Sequence, residues 1–351
     1  MNSDFYFIIG LMSGTSLDGI DLVYVQFDKK GHKNFRILAS DTISYTDDWK
    51  EKLQTAIHFS EEYLLKLDVE YGELLGTEIN LFIKKNEISN IDFIASHGHT
   101  VLHQPDKGIT LQIGNGKVIS EITNQKVVYD FRTQDVTLGG QGAPLVPIGD
   151  ELLFANYDYC VNLGGFANVS FKENESRIAF DICPVNIVLN HYVQKLGFEY
   201  DDKGQIAETG KINYELLENL NALEFYKKAA PKSLGLEWVQ AIIFPLIDKM
   251  EHDIPTILRT FIEHSAIQIG KIIHNNKSVL ITGGGVFNNF LMGRIEFYAE
   301  IKIKIQSTEL INYKEALIFA FLGVLRVENQ VNCLRSVTGA KKDHSSGVIF
   351  N

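Results

Sequence analysis

Ile9-Gly10-Leu11-Met12-Ser13-Gly14-Thr15-Ser16-Leu17-Asp18-Gly19-Ile20-Asp21 is a glycine-rich turn carrying hydroxyls and two carboxylates between two apolar, β-branched runs. Phe5-Tyr6-Phe7-Ile8-Ile9 reads as a buried strand, and Ile20 to Phe27 alternates as a second, so the turn joins a hairpin. A Walker-type loop would run into a helix instead. Backbone N–H groups of such a turn can converge on phosphate oxygens, with the Thr15 and Ser16 hydroxyls adding bonds and an aspartate holding Mg²⁺ through water. A plain hairpin with a long turn is the alternative.

The chain has 351 residues, too many for one ordinary core and suited to two domains. Hydrophobic residues make up 45% and charged residues 22%, the profile of a globular protein. A net charge of −11 argues against a nucleic-acid surface, which needs an excess of Lys and Arg. Any phosphate bound here is therefore held locally. Cys160, Cys183 and Cys333 are odd in number and widely spaced, which argues against a disulfide scaffold and against structural zinc. The first apolar run is five residues long, so neither a signal peptide nor a membrane span is expected, and the expected compartment is the reducing cytoplasm.

Strand-like and helical patterns alternate twice. Strands at 5 to 10, 20 to 27 and 34 to 40 precede a helical stretch from about 48 to 86, with a break expected near Asp68; strands follow near 91 to 96, 109 to 113 and 126 to 130. A second set runs through Tyr159-Cys160-Val161-Asn162-Leu163, Asn168 to Phe171 and Arg177 to Phe180, and ends in a helix from Pro255 to Asn275 and the strand Ser278 to Thr282. The duplication predicts two similar α/β domains facing each other across a cleft. The expected division gives 1–132 plus about 325–351 to the first domain and 133–324 to the second. Gly139 to Pro147, rich in glycine and proline, reads as a linker or a cleft loop.

Ala95-Ser96-His97-Gly98-His99-Thr100-Val101-Leu102-His103-Gln104-Pro105 follows a strand and offers three imidazoles, read here as a loop. No acidic ligand is placed with them, so hydrogen bonding to a polyhydroxy substrate and simple loop structure are favoured over zinc. Arg132 can clamp a carboxylate or form an ion pair with Asp130. Asn162-Leu163-Gly164-Gly165-Phe166-Ala167-Asn168 repeats the logic of the first hairpin, and Thr282-Gly283-Gly284-Gly285 ends a strand where an adenosine can lie flat on backbone. Asp181, leaving an apolar strand, is placed either as a general base with a desolvated carboxyl or as the cap of the next helix.

Taken in order, GLMSGTSLDGID (10–21), SHGHTVLHQP (96–105), DFRTQDVTLGGQGAPLVP (130–147), NLGGFANVS (162–170), PKSLGLEW (231–238), TGGGVFNN (282–289) and EALIFAFLG (315–323) resemble the anhydro-N-acetylmuramic acid kinase family. That family is a branch of the actin-like superfamily of sugar kinases and ATPases. The resemblance implies two actin-like, ribonuclease H-like domains facing each other across a nucleotide-binding cleft. It implies that ATP and a water open the 1,6-anhydro ring of anhydro-N-acetylmuramic acid while O6 is phosphorylated, giving N-acetylmuramic acid 6-phosphate for cell-wall recycling.

Carried onto this sequence, Gly14, Thr15, Ser16, Leu17, Asp18, Gly19, Ile20 and Asp21 meet the ATP phosphates, with Asp18 holding Mg²⁺ through water. Asn162, Gly164, Gly165 and Asn168 hold the phosphates from the other side, and Gly283, Gly284, Gly285 and Asn288 adjoin adenosine. Ser13, His97, His99, Thr100, Arg132, Asn186 and Glu315 lie near the sugar, and Asp181 is the base that activates water at C1. Two departures stand out. The family's Asp-Thr-Gly-Pro-Gly-Asn is here Asp181-Ile182-Cys183-Pro184-Val185-Asn186, and His99 replaces a usual glutamine. Cys183 is accordingly expected at the wall of the site. The implied partners are ATP and an amino sugar, with no nucleic acid and no membrane, and a homodimer is left open. Two other functions compete: a kinase of another amino sugar with a free hydroxyl, and a catalytically silent sensor of nucleotide or muropeptide.

Overall fold

The computed structural model describes residues 4–14, 17–31, 34–274 and 277–351. The chain divides into two compact units, Met1–Leu153 with Tyr313–Asn351, and Phe154–Asn312. In the first unit β1 (Phe5–Ser13), β2 (Ile20–Asp28) and β3 (Phe35–Ile43) form an antiparallel meander, so the glycine-rich turn does join a hairpin. On the other side of β1 lies β4 (Phe93–Gln104), parallel to it; β5 (Ile109–Ile113) folds back on β4, and β6 (Val127–Tyr129) runs parallel to β4. The second unit repeats the plan. Its meander is β7 (Tyr159–Leu163), β8 (Phe166–Glu173) and β9 (Ser176–Pro184), with β10 (Val279–Thr282) parallel to β7. Back in the first unit, β11 (Val348–Phe350) closes the edge beside β6. Both sheets are mixed and share one order: third strand, second, first, then a parallel fourth.

Each sheet buries its apolar side chains against helices. In the first unit Ile9, Leu11, Leu22 and Ile94 pack with Leu64, Leu67, Tyr71, Leu75, Ile79 and Phe82 of the helix Glu61–Lys85, spaced three and four apart along one stripe. In the second, Val161, Leu163, Val169 and Ile281 pack with Leu258, Phe261 and Ile262 of the helix Ile254–Gly270, among others.

Two sequence expectations about local structure shift. The helical stretch breaks at Ala56–Ser60, not at Asp68, because Ser60 caps a new helix by accepting from the Tyr63 N–H. Asp68 stays helical, and its carboxylate accepts from Gly114 N–H and Asn115 Nδ2, both at 2.8 Å. The histidine segment is not a loop: it continues β4 through a bulge, with two residues, His97 and Gly98, opposite Met12 alone. Gly98 has φ +70°, and a Cβ there would strike the Ile113 carbonyl, so the bulge requires glycine.

The domain boundaries also differ from 132/133 and about 325, falling after Leu153 and before Tyr313. Residues 133–153 are tied into the first unit. The Gln141 N–H donates to the Thr338 carbonyl at 2.7 Å, Gly149 lies against Ile318, and Lys314 pairs with Asp150 at 2.6 Å, both 5% exposed. The Gly139–Pro147 segment is thus an internal part of that unit.

Gly10 lets β1 approach the helix Thr308–Val327: a Cβ there would strike the Ala316 carbonyl and meet Ala320 Cβ at 2.8 Å. Gly10→Ala should therefore destabilise by about 1–3 kcal/mol through overpacking. Gly293→Ala, where a Cβ meets nothing within 4 Å, should not. Urea midpoints measure the contrast; equal midpoints for the two variants would refute the packing role.

Candidate active site

In the second unit, strand register lines up four polar residues. Thr282 pairs with Asn162, Asn162 with Asn168, and Asn168 with Asp181, one residue from each of β10, β7, β8 and β9. Directly paired residues project from the same face of a sheet, with strands about 4.8 Å apart, so the row presents its polar groups together. It lies at the strand ends from which both glycine turns emerge.

Asp181 is held by a segment distant in sequence. Its N–H donates to the Lys232 carbonyl at 3.0 Å, and its Oδ2 accepts from the Leu234 N–H at 2.8 Å. Among the described residues no hydrogen bond engages Oδ1, which stays available as a proton acceptor. Burial raises the carboxyl above the ordinary aspartate value, with the Leu234 bond opposing. Asp181 is not a helix cap: the helix Asn186–Gln194 starts at Val185 with no side-chain cap. Leu234 acts through its backbone, so no residue-type signal marks it, although it lies within the PKSLGLEW segment.

Cys183 is not at a site wall. It is fully buried in the core with Ile182 and Val185, its Sγ 3.9 Å from the Ser265 carbonyl, and burial pushes its thiol pKa up. Ile182 and Val185, the other two side chains that depart from the family pattern, are likewise buried in that core.

The second unit's glycines divide by role. A Cβ on Gly283 would strike Asn162 Oδ1 and one on Gly285 would meet Leu163 Cβ at 2.7 Å, so these two let the turn pack on β7. Gly284 has nothing within 4 Å, and Gly164 and Gly165 have only ordinary contacts; their backbones are open to a ligand. Asn186 reaches the same turn, its Nδ2 donating to the Leu163 carbonyl at 3.4 Å and its N–H to Gly164. Asn288 is a cap: its Oδ1 accepts from Leu291 N–H at 2.9 Å, and it is 9% exposed.

In the first unit Thr15 and Ser16 lie outside the described residues. Gly14 accepts a backbone bond from Leu17 at 3.4 Å, and Leu17 has φ +60°. Gly19 packs against the Ile43 carbonyl, and Ile20 is buried in the core. Asp18 is exposed, whereas Asp21 accepts from Thr42 Oγ1 at 2.6 Å and has its pKa raised mainly by burial and, less, by Asp18. An exposed carboxylate beside a second one fits a hydrated Mg²⁺.

His97 and Arg132 are joined by a hydrogen bond, and Glu315 acts on Arg132 through its charge. His97 Nδ1 bonds the Gly98 carbonyl at 2.8 Å, which places its proton there and leaves Nε2 to accept from Arg132 Nε at 3.0 Å. Burial, then Arg132, holds the His97 pKa well below the usual range, so the ring is neutral. Arg132 also donates from Nη1 to the Gly142 carbonyl at 2.6 Å. Asp130 does not pair with it, since its carboxylate accepts from the Thr133 N–H at 3.2 Å. Burial draws the Arg132 pKa to about 10 while Glu315 opposes, so the guanidinium remains charged at neutral pH. Burial raises the Glu315 carboxyl, with Lys314 and Arg132 opposing. Thr100 accepts from Gln112 Nε2 at 3.3 Å.

Ser13 and His99 are enclosed. Ser13 Oγ lies 2.6 Å from Tyr45 OH, 2.8 Å from Tyr71 OH and 3.2 Å from His99 Nδ1, with both residues at most 3% exposed. Sequence reading missed the two tyrosines, because Tyr71 fits the apolar helix stripe and Tyr45 follows β3 without a motif. The network satisfies Ser13 internally. Burial lowers the His99 pKa to about 4, against about 6.5 in an unfolded chain. Above pH 6.5 both states are neutral. Below it the unfolded chain takes up the proton first, so this group costs about 1.4 kcal/mol of stability per pH unit down to about pH 4. His99→Gln should remove that loss, so urea midpoints of variant and parent should diverge in the variant's favour from pH 6.5 to 4.5. Parallel curves would refute this.

A family model described as anhydro-N-acetylmuramic acid kinase matches residues 6–351. The anhydro-N-acetylmuramic acid kinase of Haemophilus influenzae is 33% identical over 376 residues, covering 98% of this chain and 97% of that one. That of Mannheimia succiniciproducens is 34% identical, covering 98% of each. Among solved structures, component A of (R)-2-hydroxyglutaryl-CoA dehydratase from Acidaminococcus fermentans is 14% identical, covers 90% of this chain and 96% of that one, and has a TM-score of 0.46. Matched from residue 6 to its last residue, and by relatives of its own length, the chain belongs to the anhydro-N-acetylmuramic acid kinase family.

Proposed function

We propose that this chain is an ATP-dependent kinase that opens the 1,6-anhydro ring of anhydro-N-acetylmuramic acid with water and phosphorylates O6, giving N-acetylmuramic acid 6-phosphate and ADP in cell-wall recycling. The observation that carries the reading is Asp181, with one carboxylate oxygen pinned by Leu234 and the other unengaged, in a polar row beside two glycine turns. One such carboxylate suffices to deprotonate a water.

Asp181 Oδ1 takes a proton from the water attacking C1, the C1–O6 bond breaks, and O6 attacks the γ-phosphorus as ADP leaves. Phosphoryl transfer asks the protein mainly for positioning and charge neutralisation. The open backbones at Gly164, Gly165 and Gly284 can meet ATP, with Asn162 and Asn168 beside them. Asp18, exposed in the first unit's glycine turn, would hold a water of bound Mg²⁺, and the ion would supply positive charge against the phosphates. Arg132, oriented by neutral His97, and Glu315 supply paired charge for a polar sugar. Among the described residues no helix is long and apolar enough to cross a membrane. On this reading the protein works in the cytoplasm, where ATP is supplied.

Asp181→Asn should bind ATP normally and lose about 10²-fold or more of kcat. In the parent, kcat/KM should fall on the acid side with a pKa above the ordinary aspartate value of about 3.9, because burial raises this carboxyl and only its ionised form accepts the proton. Turnover of Asp181→Asn close to the parent's would end the assignment. In ¹⁸O-water the label should enter the sugar at C1 and be absent from the transferred phosphate; label in phosphate alone would indicate an ATPase.

A further inference from the structure

A second group of chemically active side chains lies in the interior of the first unit. Among the described residues, Asp135, Cys333 and His344 each bring one metal-type donor atom to within 4.8 Å of the others, and all three are buried. Cys333 Sγ is 3.0 Å and His344 Nε2 3.6 Å from Asp135 Oδ1. Cys333 and His344 face each other across an antiparallel bridge, with reciprocal backbone bonds of 3.1 and 3.2 Å, so two of the three donors are set by rigid backbone. His344 Nδ1 lies 3.1 Å from the Lys342 carbonyl, which only an N–H can satisfy. In the neutral ring the proton is then on Nδ1, and the Nε2 lone pair points into the cluster. Among the described residues that Nε2 is buried with no hydrogen-bond partner, 3.6 Å from Asp135 Oδ1.

We propose that Asp135, Cys333 and His344 form a site for one divalent transition-metal ion, zinc by its donor set. Sulfur, imidazole nitrogen and carboxylate oxygen are the donors zinc takes, and bonds of about 2.0 to 2.3 Å in a tetrahedron hold neighbouring donors about 3.3 to 3.7 Å apart. The 3.6 Å between His344 Nε2 and Asp135 Oδ1 falls in that range, and Cys333 Sγ, 3.0 Å from Asp135 Oδ1, moves outward to reach it. On binding, Cys333 releases its S–H proton to solvent and forms an S–metal bond, while His344 Nε2 and Asp135 Oδ1 donate lone pairs. Nothing is oxidised or reduced. Thiolate and carboxylate together neutralise the ion, so the loaded site carries no net charge in its buried setting. The outer partners are already in place: Lys342 O on the imidazole, Gly142 N–H at 2.7 Å on Asp135 Oδ2, and Thr338 Oγ1 at 2.8 Å on Oδ1. The site would clamp the 333–344 segment to Asp135, whose Oδ2 holds the Gly142 peptide that in turn receives Arg132.

The test uses the full chain, reduced and stripped of metal. With Zn²⁺ it should retain one ion per chain after dialysis, and with Co²⁺ as probe it should develop a thiolate-to-cobalt charge-transfer band that Zn²⁺ abolishes. Cys333→Ser should lose the band, and His344→Gln should weaken affinity by at least the roughly 10- to 100-fold that loss of a supporting partner alone costs. X-ray absorption on the unmutated zinc-loaded protein should show one sulfur in the first shell, a readout independent of whether either variant folds. Failure of the parent to retain zinc, a zinc shell without sulfur, or an unchanged cobalt band in folded Cys333→Ser would each overturn the proposal.

Discussion

Strand register is the constraint on which the chemistry of the second unit depends. Because side chains alternate at a period of two, a one-residue slip of β9 against β8 would turn Asp181 to the opposite face and leave Asn162, Asn168 and Thr282 without it. The register is pinned from the buried side, where Val161, Leu163, Val169 and Ile182 have no alternative position out of water. The bulge at Ala167–Asn168 adjusts the pairing where the polar row begins. The Lys232–Leu234 backbone then fixes one oxygen of Asp181, and among the described residues the other has no hydrogen bond.

The first unit solves a different problem, keeping a charged arginine in a poorly solvated place. A protonated His97 would repel Arg132; burial instead keeps the ring neutral, and its Nε2 becomes an acceptor that orients the guanidinium. Gly142 O takes a second donor, and Glu315 supplies the compensating charge. Desolvation and hydrogen bonding thus act together: the first selects the protonation state and the second uses it to set direction. The same desolvation at His99 yields a structural network with Ser13, Tyr45 and Tyr71, because there the ring meets hydroxyls that satisfy one another.

Glycine carries two meanings in this chain. At Gly10, Gly98, Gly283 and Gly285 it removes a Cβ that would collide with neighbouring backbone or side chains, so it serves packing and turn geometry. At Gly164, Gly165 and Gly284 the space above the backbone is open, which is the property a phosphate or adenosine needs. Two adjacent glycines of one turn, Gly283 and Gly284, fall on opposite sides of this division.

Local pattern was enough to place most strands, both glycine hairpins and the duplicated order, since alternation and turn chemistry are properties of neighbouring residues. The ordered motifs identified the family, and Asp181 was legible as a carboxylate leaving an apolar strand. Tertiary structure decided what those residues touch. Cys183 went to the core, Ser13 and His99 into a tyrosine network, and Asn288 to a helix cap, because burial and partner geometry depend on segments far away in sequence. The unit boundaries moved for the same reason, residues 133–153 being held by Thr338, Ile318 and Lys314. Cys333, His344 and Asp135 have no ligand spacing that a linear reading can detect. A β-bridge and a buried carboxylate from about two hundred residues upstream bring them together, and long-range packing alone creates that proximity.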